Sequence, residues 1–332
     1  MRSDNTQHAI RNTQLPVPDL STTLCGVPLP NPTVLASGIL GLSHGVLVRV
    51  AQAGAGGVTT KSCSLRPRPG YPNPVVLDWG PGLINAVGLS NPGVEVMVEE
   101  IRAAKEQLAP PVVSPAEPPG VPIIASIFAE TIYDFGTVAR FISEAEPDLI
   151  EVNISCPNVD DRYLQMFAAD PYVAAQVTRR VKQNTDAPVL VKLSPNVTDV
   201  VKIAQAVVEA GADGITAVNT LGPGVILDVE TCRPVLAHGT GGISGPAMRP
   251  IAVRCVRDIC RAVNVPVVAV GGVTTGRDVV EMILVGATAV GIGSAIYHRG
   301  MEVFQKVCEE LRDYMERHGY GRLEEFRGRA VG

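Results

Sequence analysis

Short apolar runs alternate with longer amphipathic segments along most of this chain. The apolar runs are rich in β-branched residues, which is typical of buried strands, whereas the amphipathic segments repeat their apolar positions with the period of a helix. The runs predict eight strands, at Thr33–Ser37, Gly57–Lys61, Pro122–Phe128, Leu149–Ile154, Val189–Leu193, Gly214–Asn219, Val267–Val270 and Ala289–Ile292. The other segments predict eight helices, near Gly45–Ala53, Val94–Leu108, Tyr133–Glu144, Pro171–Gln183, Val197–Glu209, Pro246–Val263, Gly276–Leu284 and Met301–Arg317.

Eight strands that are each followed by a helix predict an α/β fold, the (β/α)8 TIM barrel. An open doubly wound sheet is the alternative, but it would need a sheet edge and usually has fewer strands. We expect the barrel over residues 21–318, a flexible N-terminal extension over 1–20 and a C-terminal tail over 319–332. Two proline-rich connections, Leu65–Ser90 and Ala109–Pro122, predict loops inserted on the C-terminal face, and a loop as long as the first is usually functional or a lid.

Composition and charge narrow the function classes. Hydrophobic residues make up 46% of the 332 residues and charged ones 18%, which suits a globular protein with a large core. The net charge of −5 and the scattered basic residues argue against a nucleic-acid partner. The polar N-terminus argues against an export signal, and prolines interrupt the longest uncharged stretch, so no membrane span is expected. The seven cysteines form no CxxC pair, which predicts reduced thiols in a cytosolic protein and no metal site in this chain.

Polar residues and glycines recur just after the apolar runs. In a TIM barrel the active site lies at the C-terminal ends of the strands, so these residues are candidates for the chemistry. In chain order they are Ser37-Gly38, Lys61-Ser62, Ser126, Asn153 to Cys156, Lys192, Asn219-Thr220, Gly271-Gly272 and Gly293-Ser294.

The segment Asn153–Asn158 (Asn-Ile-Ser-Cys-Pro-Asn) is the most informative of these strand ends. Asparagine amides can bind a flat polar ring by its edges, and Cys156 is a candidate proton acceptor if its pKa lies near the working pH. The alternative is a loop that turns through Asn-Pro chemistry and carries a small buried cysteine.

Two further patterns indicate an anionic or electron-rich ligand. The glycines after the last two predicted strands, together with Gly241–Gly245, let backbone N–H groups approach a phosphate; simple turns without a ligand are the alternative. Lys61 and Lys192 each close a predicted strand, where a lysine either faces an anion or extends its ammonium to solvent at the barrel rim.

Several of these motifs resemble those of dihydroorotate dehydrogenases of class 1, over about residues 24–311. The motifs that carry the resemblance are Asn85–Gly93, Asn153–Asn158, Val191–Asp199 and Gly241–Pro246. They look like the NAD-linked subgroup, class 1B, more than the fumarate-using class 1A. The quinone-linked class 2 has a serine where this chain has Cys156. The resemblance implies a cytoplasmic, FMN-dependent TIM barrel that oxidises (S)-dihydroorotate to orotate in pyrimidine biosynthesis.

The resemblance also implies roles for individual residues. Cys156 would take the proton from C5 of the substrate while hydride passes from C6 to FMN. The implied substrate-binding residues are Lys61, Asn85, Ala86, Val87, Gly88, Leu89, Asn153, Asn158, Asn219 and Thr220. The implied FMN-binding residues are Ser37, Lys61, Ser62, Ser126, Asn153, Lys192, Val218, Gly245, Gly271, Gly272, Gly293 and Ser294.

The chain departs from the family pattern at two places. Ser126 stands where the family usually has asparagine, so a direct flavin contact is lost or is made through water. The loop over residues 159–169, which should cover Cys156, differs from the glycine-containing lid of the subgroup.

The resemblance to class 1B enzymes implies that this chain is one subunit of a larger assembly. A partner subunit with FAD and a [2Fe–2S] cluster passes electrons to NAD, and the chain's lack of cluster cysteines and of a GxGxxG motif after a strand implies such a partner if NAD is used. A homodimeric core, giving a heterotetramer with the partner, is also implied. Two other functions stay open: an FMN oxidoreductase acting on another dihydropyrimidine, and a Schiff-base aldolase that uses a strand-end lysine.

Overall fold

The computed structural model describes residues 17–109, 120–155 and 167–332. Cys156 and Asn158, most of the predicted 159–169 lid and most of the predicted 109–122 insertion lie outside this part of the chain.

The described residues contain sixteen strands. In chain order they are β1 (Thr22–Leu24), β2 (Val27–Leu29), β3 (Thr33–Leu35), β4 (Gly57–Thr59), β5 (Val76–Asp78), β6 (Leu83–Asn85), β7 (Ile123–Ile127), β8 (Leu149–Asn153), β9 (Val189–Leu193), β10 (Gly214–Ala217), β11 (Leu221–Gly224), β12 (Leu227–Asp228), β13 (Arg233–Pro234), β14 (Gly241–Ser244), β15 (Val267–Val270) and β16 (Ala289–Ile292).

The same residues contain nine α-helices and three short 3₁₀ helices. The α-helices are α1 (His44–Gln52), α2 (Val94–Leu108), α3 (Ile132–Ile142), α4 (Pro171–Lys182), α5 (Val200–Glu209), α6 (Arg249–Ala262), α7 (Gly276–Leu284), α8 (Ala295–Arg299) and α9 (Val303–His318). The 3₁₀ helices are Ser143–Ala145, Pro246–Met248 and Leu323–Glu325.

Eight parallel strands close into a barrel in the order β3-β4-β7-β8-β9-β10-β15-β16. Closure is made by β16 against β3, where Val290 pairs with Thr33 and Ile292 with Leu35. These are the eight strands that the apolar pattern predicts, so the predicted TIM barrel is confirmed. The doubly wound alternative is wrong, because the sheet has no edge.

The interior of the barrel has an apolar lower layer and a polar layer above it. Val34, Ile124, Leu149, Leu190 and Val268 form the lower layer, and the hairpin of β1 and β2 packs Leu24 and Leu29 against it. Side chains on a strand alternate between its two faces, so the next inward residues on β7, β8 and β9 lie two positions further on. Those residues are Ser126, Glu151 and Lys192, and all three are buried.

Polar caps set the starts of several helices. The sequence pattern places a helix from Val197, but α5 begins at Val200 because the Asp199 carboxylate accepts hydrogen bonds from the N–H groups of Val201 and Lys202 (3.1 and 3.2 Å). The predicted helix Pro246–Val263 is divided into a 3₁₀ turn and α6. Thr275 and Asp278 form a reciprocal capping box at the start of α7.

A second sheet, which the sequence pattern misses, stands beside the mouth of the barrel. Its order is β11-β14-β6-β5, and β6 pairs with β14 so that Asn85 lies opposite Gly242. The predicted connection Leu65–Ser90 is therefore partly strand. These strands are three or four residues long, too short for their periodicity to stand out between prolines and glycines.

Both ends of the described chain pack on the barrel. Asp19 N–H donates to Gly321 O (2.9 Å), and Leu20, Leu323 and Phe326 are buried in the main core. The boundaries at residues 20 and 318 stay predictions. No helix within the described ranges is long and apolar enough to cross a membrane.

Candidate active site

A cavity of about 460 Å³ lies at the C-terminal ends of the barrel strands. Of the eight barrel strands, β7 alone contributes no lining residue among those described, because its inward Ser126 is buried below the cavity floor. The second sheet adds Leu83 and Asn85 from β6 and Ser244 from β14. The cavity is therefore walled by the barrel mouth and by one face of the smaller sheet.

Most residues that the sequence predicts to bind substrate or cofactor line this cavity. They are Ser37, Lys61, Ser62, Asn85, Val87, Gly88, Leu89, Asn153, Lys192, Val218, Asn219, Thr220, Gly245, Gly271, Gly272, Gly293 and Ser294. Ala86 does not line it: it packs with Ile84 and Leu236 on the far side of β6. Cys156 and Asn158 are outside the described residues. The role of each residue stays a prediction.

The floor of the cavity is a hydrogen-bonded group of amides and hydroxyls. Asn153 Nδ2 donates to Ser62 Oγ (3.1 Å), and Asn153 Oδ1 accepts from the N–H and Oγ of Ser155 (3.2 and 3.1 Å). Asn219 Nδ2 donates to Ser155 Oγ (3.0 Å). These bonds fix the amide of Asn153 in one orientation at the end of β8.

The two lysines of the cavity have different surroundings. Lys192 is buried, and its Nζ lies 3.6 Å from Oε1 of Glu151, which is equally buried. Lys61 is partly exposed, and its Nζ donates to the carbonyl of Gly38 (3.2 Å). Lys192 is therefore a buried cation held in the cavity wall, whereas Lys61 is more exposed and can meet a ligand that enters from solvent.

Asn85 is held over the cavity by the second sheet. Its Nδ2 donates to the carbonyl of Gly242 (3.3 Å), its register partner on β14. The following loop is fixed by Arg68, whose Nε donates to the carbonyl of Gly88 (3.1 Å). This arrangement places one amide on the sheet side of the cavity, facing those of Asn153 and Asn219 on the barrel side.

Glycines on three loops make a tight cradle at one end of the cavity. A Cβ on Gly272 would lie 2.8 Å from the carbonyl oxygen of Gly245, and a Cβ on Gly245 would lie 2.9 Å from Cα of Gly82. The loops thus pack backbone against backbone, which only glycine allows at these positions. Backbone N–H groups that approach a ligand so closely suit a phosphate.

An ion pair and hydrogen bonds of Asp278 stabilise the loop that carries Gly272. Asp278 accepts hydrogen bonds from the N–H groups of Thr274 and Thr275 (both 2.9 Å), and its carboxylate also pairs with Arg249 at the start of α6. Burial works to raise the pKa of Asp278, but these hydrogen bonds and Arg249 outweigh it and hold the pKa below its usual range. Asp278 therefore connects the loop after β15 to the start of α6.

Comparison with known proteins decides the family. The sequence model of the family described as dihydroorotate dehydrogenase matches residues 19–315. This chain belongs to the dihydroorotate dehydrogenase family. It is therefore an oxidoreductase of a flavin-dependent family.

Curated relatives of the dihydroorotate dehydrogenase family match nearly the whole chain. The protein named dihydroorotate dehydrogenase B (NAD(+)), catalytic subunit, from Methanothermobacter thermautotrophicus is 43% identical over 94% of this chain and 98% of its own length. Proteins of the same name from Methanocaldococcus jannaschii and Pyrococcus abyssi are 41% and 39% identical, again over 94% of this chain and 98% and 99% of their own.

The sequence interpretation missed Glu151 and gave no individual role to Ser155 or Ser244, although both serines lie in segments that it singled out. Glu151 pairs with Lys192, Ser155 joins Asn153 to Asn219, and Ser244 lines the wall on β14. A signal for Glu151 was present, because it is the one charged residue in the apolar run Leu149–Ile154. A charge in a strand buried on both faces needs a partner, although the run itself does not say which.

The described residues fit a flavin. The glycine cradle suits a phosphate, Lys192 supplies a buried cation beside the cavity, and the amides supply donors and acceptors for ring edges.

Proposed function

We propose that this chain oxidises (S)-dihydroorotate to orotate with FMN as its cofactor, as a step of de novo pyrimidine biosynthesis. The observation that carries the proposal is the single cavity that Lys61 and the amides of Asn85, Asn153 and Asn219 line together. Amides suit the edges of a pyrimidine ring, and an ammonium group suits its carboxylate. Membership of the dihydroorotate dehydrogenase family supports the same substrate.

The chain's own residues would bind and orient the substrate and accept the proton that leaves its C5. Bound FMN would supply one piece of chemistry, the acceptance of the hydride that leaves C6. Cys156 follows the end of β8 by three residues, and we propose it as the base that removes the proton from C5. An ordinary thiol has a pKa near ~8.5, so turnover should rise with pH as the thiolate forms.

Lys192 is proposed to act on the cofactor side of the cavity. A fixed cation stabilises negative charge that develops close to it, and Lys192 does not need to move because burial and Glu151 hold it in place. The glycine cradle at Gly245 and Gly272, together with Gly271, Gly293 and Ser294, is proposed to bind the FMN phosphate through backbone N–H groups.

We further propose that the chain is the catalytic subunit of a larger enzyme. Its relatives carry the words "catalytic subunit" and "NAD(+)" in their names, which supports a second subunit that passes electrons onward to NAD. The proposed assembly is a homodimeric core with two partner subunits that hold FAD and a [2Fe–2S] cluster. A cytoplasmic setting is proposed because six cysteines of the described chain are free thiols.

An anaerobic visible spectrum tests the reaction directly. Purified protein should carry an oxidised flavin, which bleaches when dihydroorotate is added and does not bleach with dihydrouracil, the same ring without its carboxylate. Bleaching with dihydrouracil alone would move the substrate to another dihydropyrimidine. Failure to bind flavin after FMN is supplied would refute the proposal, and borohydride trapping on Lys61 or Lys192 would then test the aldolase alternative.

A further inference from the structure

Glu151 is a buried carboxylate for which the proposed reaction has no use. It lies in the polar layer of the barrel below the cavity floor, and its side chain is only 5% exposed. An unpaired carboxylate at such a place is strongly unfavourable, so its partners indicate what it does. Those partners are Lys192 on β9 and Ser126 on β7, the strands that flank β8 on its two sides.

The first connection runs from Glu151 to the cation of the cavity. Glu151 Oε1 lies 3.6 Å from Nζ of Lys192, and both side chains are 5% exposed. Water screens a pair buried this deeply much less than it screens an exposed pair, so the carboxylate offsets much of the positive charge that Lys192 presents to the cavity. A ligand in the cavity therefore experiences the combined charge of Lys192 and Glu151 and not that of Lys192 alone.

The second connection runs from Glu151 to the amide of Asn153 through two hydroxyls. Ser126 Oγ donates to Glu151 Oε1 (3.1 Å), which uses its only proton. Ser62 Oγ lies 2.8 Å from Ser126 Oγ and 3.2 Å from Ser37 Oγ, and its single proton goes to the shorter contact, because Ser126 has no proton left to donate there. With that proton used, Ser62 can only accept from Asn153, whose Nδ2 lies 3.1 Å away.

The carboxylate thus determines the direction of the three hydrogen bonds that connect Glu151 to Asn153. A carboxylate is an acceptor only, so donation must run from Asn153 through Ser62 and Ser126 to Glu151. With Nδ2 committed to Ser62, Asn153 presents Oδ1 to Ser155 and Asn219. Glu151 therefore acts at two points of the cavity without reaching it.

We propose that Glu151 is a positioning residue that balances the charge of Lys192 and sets the amide orientation of Asn153 through Ser126 and Ser62. The cofactor part of this inference rests on the proposed FMN function, because it takes Lys192 to face the flavin. Ser126 also acquires a role: its short side chain reaches the carboxylate below the cavity and does not enter the cavity itself.

The midpoint potential of the bound flavin tests the charge balance. Glu151→Gln keeps the size and an acceptor oxygen but removes the charge, so Lys192 should stabilise the reduced flavin more strongly. We expect the equilibrium to shift toward reduced flavin by roughly tenfold, which is about 30 mV more positive for a two-electron couple.

Thr216→Val is the matched control. Thr216 lies opposite Lys192 on β10, is buried, and its hydroxyl has no hydrogen-bond partner in the described structure. Its substitution should leave the potential unchanged. A shift in Glu151→Gln no larger than that in Thr216→Val would overturn the inference while leaving the proposed function intact. Wild-type protein without flavin would overturn both.

Unfolding measurements test the pair without any flavin. Removing one partner leaves a buried charge unbalanced, whereas removing both does not. Glu151→Gln and Lys192→Met should therefore each lower the melting temperature more than the double variant does. If Glu151→Gln does not fold at all, a folded double variant supports the inference, and an unfolded one overturns it. Losses in the double variant that equal the sum of the two single losses would mean that the sites are independent, and would also overturn it.

Discussion

Replacement of Gly272 by alanine should loosen the cradle at the end of the cavity. Gly272 has a φ of +74°, in the left-handed region that alanine avoids. Its added Cβ would lie 2.8 Å from the carbonyl oxygen of Gly245 and 3.0 Å from the backbone nitrogen of Arg249. Both contacts are with backbone atoms, which cannot rotate away as a flexible side chain could. The loops that carry Gly245 and Gly272 must therefore separate.

The magnitude follows from these two effects. The left-handed conformation costs an alanine about 1–2 kcal/mol, and crowding in a packed region costs about 1–3 kcal/mol more. We therefore expect Gly272→Ala to lose about 2–5 kcal/mol of unfolding free energy. FMN should also bind more weakly, because its proposed phosphate site is made by the loops that move apart.

The assay is urea unfolding followed by circular dichroism, in protein stripped of flavin. Gly293→Ala is the matched control, since its Cβ would meet only the Cβ of Ala36 at an ordinary 3.6 Å and its φ is not positive. That variant should lose less than about 1 kcal/mol. An unfolding midpoint for Gly272→Ala equal to that of Gly293→Ala would refute the reasoning.

Three further predictions concern proton chemistry. Cys156→Ala should lower turnover of dihydroorotate by about 10²–10⁴-fold, and wild-type turnover should rise with pH; full activity of the variant at neutral pH would contradict the assigned base. Asp278→Asn should lose about 1–3 kcal/mol at pH 7 in chemical unfolding. The folded-state pKa of Asp278 is depressed, so its contribution is present above its ordinary pKa and is lost as pH falls through the folded value. A gap to wild type that does not narrow as pH falls below ~4 would be the wrong result. Burial raises the pKa of the Cys63 thiol to about 12. Iodoacetamide should therefore label the exposed Cys232 in the native protein and Cys63 only after unfolding, which peptide mass spectrometry can detect. Labelling of Cys63 in the native protein would count against its burial.

The sequence alone determined the barrel, because its signal is local. Each barrel strand is a short β-branched run buried on both faces, and each is followed by an amphipathic helix, so no knowledge of distant contacts was needed. The same local rule placed most candidate residues, since the residue after a barrel strand lies at the mouth wherever that strand stands. Lys192 and Asn153 were identified in this way.

Only the tertiary structure decided which of these residues meet. Asn85 comes to the cavity because β6 pairs with β14, whose register partner Gly242 is 157 residues away in sequence. Nothing local in either short strand encodes that pairing, which depends on the barrel bringing both segments to one side of its mouth.

The depth of a residue within the barrel was likewise a tertiary property. Alternation along a strand shows which side chains point inward, but their height depends on how far each strand is staggered against its neighbours. Ser126 and Asn153 both follow apolar residues near a strand end, yet Ser126 is buried below the floor and Asn153 lines it. The partnership of Glu151 with Lys192 has the same origin, because the stagger of β8 and β9 brings the two charges within 3.6 Å of each other.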